Sequence, residues 1–334
     1  MFTDRTLKIL SQMKGSRSRI PGLHWRSLDA RPHRNNRFGP IGRCIYCGAT
    51  DGLTEEHVVP QFLSGRLSLT EASCGRCAKI TSGFESKCAQ KNFDTALPFM
   101  FKRASRRRLP VTLIINGKRH TKRIEPHNYP PTLQLPIYAP PDHAVGRQPA
   151  ESALPIRKEM WGWVWEQPHE PPGAWEKKVR QLLRESGASH VAIPGKFDDR
   201  SFVRLLAKIG YGYAIAQFGL GFFQPLILGT ILDENYPAGR FVGGVENPPA
   251  LTPEIARDLP HLDYFLKLRV SPHPFFGTPT LWADIRLFPG FGNVPVYTVL
   301  LGMGDFSEAA FVLHRAKILI TTQKGGKYLP EFFA

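Results

Sequence analysis

Four cysteines in two C-x-x-C pairs carry the plainest chemistry in the chain: Cys44-Ile-Tyr-Cys47 and Cys74-Gly-Arg-Cys77. Thiolates are soft ligands, and two such pairs close a tetrahedral four-sulfur shell around Zn2+. The pattern therefore predicts a structural zinc site. Cys88 falls outside it and reads as a packed thiol. An odd cysteine count arranged in pairs suits a reducing compartment better than a disulfide scaffold, so the cytoplasm is the expected location.

Between the pairs lies Leu53-Thr-Glu-Glu56-His57-Val-Val-Pro60. In a short strand ended by a proline, Glu56 and His57 point to opposite faces. A carboxylate beside an imidazole can divide labour at a metal. The oxygen holds a hard divalent cation, while the neutral imidazole takes a proton from water. Downstream, residues 78–90 fit a helix, with Ser82 and Glu85 about one and two turns beyond Ala78.

With these residues in place, the segment 44–90 resembles the HNH nuclease family, in the branch with paired C-x-x-C knuckles. Cys44, Cys47, Glu56, His57, Pro60, Cys74 and Cys77 all fall on that family's motif. The resemblance implies a ββα-metal core in which the four cysteines hold zinc. His57 would be the general base acting on a scissile phosphate, and Glu56 a ligand of a separate catalytic Mg2+ or Mn2+. Two positions depart from the motif. Ala78 stands where the family carries Asn or His, and Ser68–Ser73 lacks the family's middle Asn. Glu85 is the substitute ligand offered by the helix. Metal-dependent hydrolysis of nucleic acid, DNA first, is the implied function. The departures keep open a non-catalytic, zinc-dependent nucleic-acid-binding protein, and a zinc-stapled scaffold is a third reading.

Charge supports a polyanionic partner. The 334 residues carry a net charge of +16. Residues 1–43 hold a net +8 and residues 102–123 a net +9, while the cysteine segment between them and the half beyond are near neutral. Each phosphate neutralised by such cations releases condensed counterions and adds to binding. Arg43, Arg66, Arg76 and Lys79 surround the cysteine segment, and Arg103, Arg106, Arg107 and Arg108 cluster just after it. All eight are candidate backbone contacts, which position nucleic acid without reading its sequence. No strongly amphipathic basic helix points to a membrane surface instead.

These groups need elements to position them. Residues 3–14 fit a short helix, and 16–40 a basic arm. Val111–Ile115, Asn116-Gly117 and Lys118–Ile124 read as a hairpin, because a type I′ turn needs positive φ at both central positions. Its second strand presents Lys118, Arg119, Lys122 and Arg123 as a basic ribbon. Eight prolines in residues 126–155 mark a joint. Beyond it, Trp161, Trp163 and Trp165 alternate along a strand, 174–186 fits a helix, and a second helix starts near Asp198-Asp199. The uncharged run 209–232 is broken by five glycines and Pro225, so it reads as a buried helix and turn rather than a membrane span. Strands are expected at 262–270, 280–288, 294–301 and 310–320, and in the second Leu281, Ala283, Ile285 and Leu287 alternate with Trp282, Asp284 and Arg286 on one wet face.

The expected fold is α+β. A small ββα-metal zinc-knuckle domain (44–101) has a basic arm (1–43) and a basic hairpin extension (102–125) as flanks. A proline-rich linker (126–155) joins it to a larger α+β domain (156–334) with a mostly antiparallel sheet. The N-terminus shows no continuous apolar segment of the secretory type.

Overall fold

A computed structural model of the chain describes residues 36–94, 96, 109–125, 132–144, 154–164, 174–192, 197–245, 262–273, 277–289, 294–304, 306, 317–322 and 325–330. In chain order the elements are β1 (Asn36–Phe38), β2 (Leu53–His57), β3 (Leu67–Cys74), α1 (Gly75–Lys87), β4 (Leu109–Ile115), β5 (Lys118–Ile124), β6 (Thr132–Tyr138), β7 (Arg157–Val164), α2 (Ala174–Ser186), β8 (His190–Ala192), α3 (Asp199–Phe218), β9 (Gln224–Pro225), α4 (Leu228–Leu232), β10 (Val242–Gly244), β11 (Leu262–Pro272), β12 (Pro279–Leu287), β13 (Val296–Met303), β14 (Lys317–Thr322) and β15 (Gly325–Pro330). The class is α+β, with mostly antiparallel sheets. The expected helix at 3–14, the arm up to residue 35, and Arg103, Arg106, Arg107 and Arg108 lie outside the described residues.

The first sheet has the order β1-β3-β2, with β2 antiparallel and β1 parallel to β3. The β2–β3 register shifts between Thr54 and Glu56, opposite Glu71, whose φ is 51°. Such a bulge re-aims side chains. Past it, Glu56 is buried and His57 half-buried. Helix α1 follows β3 directly and completes a ββα unit.

The larger sheet runs β10-β13-β12-β11-β14-β15, with β9 on β13. Helix α3 lies between this sheet and the ββα unit, and its residues from Ser201 to Ile215 are buried. Two glycines permit the close approach on either side. A Cβ on Gly210 would come 3.1 Å from the Cβ of Ala283 and 3.2 Å from Leu301, and one on Gly212 would touch Val58. One hydrophobic core therefore runs from Val58, Leu69 and Phe84 through Phe202, Leu206 and Ile209 to Ile285 and Val299. Asp198 starts α3 as anticipated, its carboxylate accepting from the Ser201 N–H at 3.0 Å.

The β4–β5 hairpin forms around Asn116 and Gly117, whose φ values are 48° and 73°. It joins β8 in the order β5-β4-β8, and Val111 and Leu113 pack with Leu182 and Ala188.

Two expectations change. The proline-rich stretch contains a strand, β6, paired antiparallel with β7. Pro136 is tolerated there because a two-stranded ribbon leaves each strand an unpaired edge. Leu133, Leu135 and Tyr138 are buried in the main core. On β12, Trp282 was expected on a wet face but is buried. Its indole N–H donates to Thr280 Oγ1 at 2.8 Å, and the Arg269 guanidinium lies 5.0 Å from its ring centroid. The wet face is limited to Asp284 and Arg286, both only half-buried. In the Trp161–Trp165 alternation, Trp161 packs partly buried against the core, and Trp165 lies outside the described residues.

Candidate metal and nucleic-acid site

The four cysteines converge. Their sulfurs all lie within 4.8 Å of one another, and Cys47 and Cys74 are 3.6 Å apart. A tetrahedron with metal–sulfur bonds of about 2.3 Å needs sulfurs about 3.8 Å apart, so the set fits zinc. The first pair sits on a tight knuckle, where the Cys44 N–H donates to Ala49 O at 2.7 Å and Gly48 N–H to Cys44 O at 2.9 Å. Gly48 adopts φ 77°, the left-handed region that glycine enters freely. An N–H of Ile45 donates to Ala72 O at 2.8 Å and fixes the knuckle onto β3. The second pair spans the β3–α1 junction, with Cys74 at the helix cap and Cys77 in its first turn.

The thiols differ in environment. Cys47 is exposed and is lowered to about 7 by a backbone hydrogen bond at Ala49 and by the neighbouring thiols, whereas burial pushes Cys44 and Cys77 up. Zinc would supply the charge that lets all four ionise. Cys88 is buried, as a packed thiol should be.

A second cluster joins β2, α1 and α3. Glu56 Oε1 and Glu85 Oε1 both meet one atom, Lys208 Nζ, at 2.8 Å and 2.5 Å. The same ammonium donates to the carbonyl oxygen of His57. Lys208 comes from the middle of α3 and is 1% exposed at its side chain, against 6% for Glu56 and 20% for Glu85. Burial alone would push the lysine down, but Glu56 and Glu85 outweigh it and hold the ammonium above its ordinary value. Burial raises Glu85, with Lys208 drawing it back. Glu56 and Glu85 thus converge from β2 and α1, as the sequence suggests. Their meeting point holds an ammonium in contact with three oxygens. With Lys208 there, the cluster does not fit a divalent cation.

His57 gives this cluster its backbone carbonyl, while its ring makes a separate contact. Its Nε2 is 2.9 Å from Gln61 Nε2, and its Nδ1 is buried without a hydrogen-bond partner. Sequence reasoning missed both Gln61 and Lys208. Gln61 lies four residues after His57, on the single turn Gln61–Leu63 that follows Pro60.

The expected cations divide by environment. Arg43, Arg76 and Lys79 are exposed around the zinc set, and Arg76 is raised by the Cys47 thiol beside it. Arg66 is half-buried and engaged within the fold. On β5, Lys118, Arg119, Lys122 and Arg123 are all exposed. Antiparallel pairing sets Lys118 and Lys122 opposite Ile115 and Val111, and Arg119 and Arg123 opposite Ile114 and Pro110, so the ribbon is cationic on both faces. Among the described residues no helix is long and apolar enough to cross a membrane. Compared with family models, curated proteins and solved structures, the chain matches none of them.

Proposed function

We propose that the chain binds nucleic acid, DNA first, through a zinc-organised ββα module of HNH type and its basic ribbon, without hydrolysing the phosphodiester backbone. The observation that carries this reading is the row of four exposed cations on edge strand β5, none of them paired with an acid among the described residues. Edge strands often carry lysine to discourage pairing, but two lysines and two arginines covering both faces also make a ladder for phosphates. Arg43, Arg76 and Lys79 add charge around the zinc set. The test is DNA binding against salt, beside plasmid integrity with Mg2+, Mn2+ or EDTA. Affinity that falls steeply with salt on intact plasmid is the expected result. Weak association that ignores salt would leave only a zinc-stapled scaffold.

One observation favours a second reading, HNH-type hydrolysis. The Gln61 amide N–H donates to His57 Nε2, which leaves the ring proton on the buried, partnerless Nδ1 and holds Nε2 as the proton-accepting nitrogen that a general base needs. That reading needs Mg2+ or Mn2+ at Glu56 and Glu85, where Lys208 stands. Metal-dependent nicking that disappears in His57→Ala while binding persists would select it.

A further inference from the structure

We infer that Lys208 is a resident cation, taking by its ammonium the place that a divalent metal would occupy between Glu56 and Glu85 and so excluding metal from the ββα site. Three features support this. Lys208 Nζ forms ion pairs with an oxygen of each carboxylate, at 2.8 Å and 2.5 Å, and also donates to His57 O, so one ammonium meets three oxygens. Two carboxylates and a carbonyl are hard oxygen donors of the kind Mg2+ and Mn2+ select, and here one ammonium uses them all. The lysine is also fixed from behind. It leaves α3 between Leu206, Ala207 and Ile209, all fully buried, so the side chain cannot swing out to solvent without disturbing the core.

Charge gives the reason for a lysine at this point. Glu56 and Glu85 are brought together in a site largely closed to water, and two carboxylates so placed repel each other and lose hydration. In a hydrolytic site a divalent ion would offset them. Here the protein carries its own counter-ion, from a residue 151 positions beyond the strand it serves. The ammonium has no open coordination position, so the cluster can hold the fold but cannot present a metal-bound water.

The inference borrows from the functional reading only the likeness of the ββα unit, and metal uptake is measured apart from nucleic-acid binding or cleavage. The zinc-loaded full chain is titrated with Mn2+ and followed by electron paramagnetic resonance, as wild type, Lys208→Ala and Lys208→Ala/Glu85→Gln. Wild type should take up no Mn2+ at the Glu pair. Lys208→Ala, with space where the ammonium was, should gain one Mn2+ bound at least 10-fold tighter, and the double variant should lose it. Mn2+ should also raise the melting temperature of Lys208→Ala but not of wild type. One equivalent of Mn2+ on wild type, abolished by Glu85→Gln alone, would overturn the inference, and that arm holds even where Lys208→Ala does not fold. Equal Mn2+ affinity in wild type and Lys208→Ala would overturn it as well. Exclusion of Mn2+ from a chain that fails to bind DNA would sink the functional reading and leave the role of Lys208 standing.

Discussion

The hydroxyl of Tyr211, in the middle of α3, donates to the carbonyl oxygen of Ile45 at 2.7 Å, inside the first zinc knuckle. Ile45 lies between the two cysteines of its pair, so the loop that holds the metal is fastened to a helix 166 residues away. The relationship makes zinc binding and the packing of α3 parts of one structure. Tyr211→Phe should leave a buried carbonyl without its donor and cost about 1–2 kcal/mol. Denaturant unfolding of the zinc-loaded variant checks this, and a midpoint equal to wild type would show the bond to be of no consequence.

Zinc itself should matter more than any single bond. Cys77 is fully buried and shares the main core, so Cys77→Ser or removal of zinc by a chelator should lower the melting temperature by roughly 10 °C, the equivalent of several kcal/mol in a chain of this size. Metal analysis beside calorimetry tests it. A Cys77→Ser protein that keeps a full equivalent of zinc would refute the four-thiolate assignment.

The basic ribbon has a quantitative signature. Each phosphate contact removed should reduce the slope of log affinity against log salt by about 0.9. Lys118→Ala/Lys122→Ala and Arg119→Ala/Arg123→Ala should each flatten the slope by up to about twice that amount, depending on which face meets the backbone. Fluorescence titrations at several salt concentrations report it. Slopes unchanged in both pairs would remove β5 from the interface.

Asp198 gives a pH dependence with a definite sign. Burial works against its carboxylate, but the Ser201 N–H and Lys91 hold it below the ordinary aspartate value. A depressed folded value means that the charged cap stabilises the protein above the ordinary aspartate range and that this contribution is lost as pH falls through the depressed value. Asp198→Ala should therefore cost about 1 kcal/mol at pH 7. The gap from wild type should narrow on acidification towards pH 3. Urea midpoints across that range measure the difference, and a gap that widens in acid contradicts the assignment.

Local chemistry was legible where residue type dictates geometry. Paired cysteines must share a metal or go to waste, Asn116-Gly117 admits the left-handed turn a hairpin needs, and an aspartate suits the start of α3. Glu56 and Glu85 could be paired through the likeness to the HNH motif, which implies a ligand at each of the positions of Glu56 and Ala78 and leaves Glu85, about two turns beyond Ala78 on the same helix, as the substitute. Their partner was not legible, since nothing local to either glutamate points to α3. A clue lay in α3 itself. Lys208 stands among Leu205, Leu206, Ala207 and Ile209, and a helix buried on every side cannot carry a lysine without an acid to receive it. Strand β6 was obscured by composition, because proline count argues against a central strand and says little about a two-stranded ribbon.

The position of Lys208 also bears on portability. Zinc-knuckle modules invite transplantation as short cassettes, and the motif alone would suggest cutting this one after residue 101. Such a fragment would keep the thiolates and both glutamates but leave behind the ammonium that lets Glu56 and Glu85 share a buried site, together with the Gly212 surface against which Val58 packs. It would carry two uncompensated acids into its own interior. The module is thus completed by α3, from beyond the middle of the chain, and loss of the C-terminal half would strip the zinc end of that support.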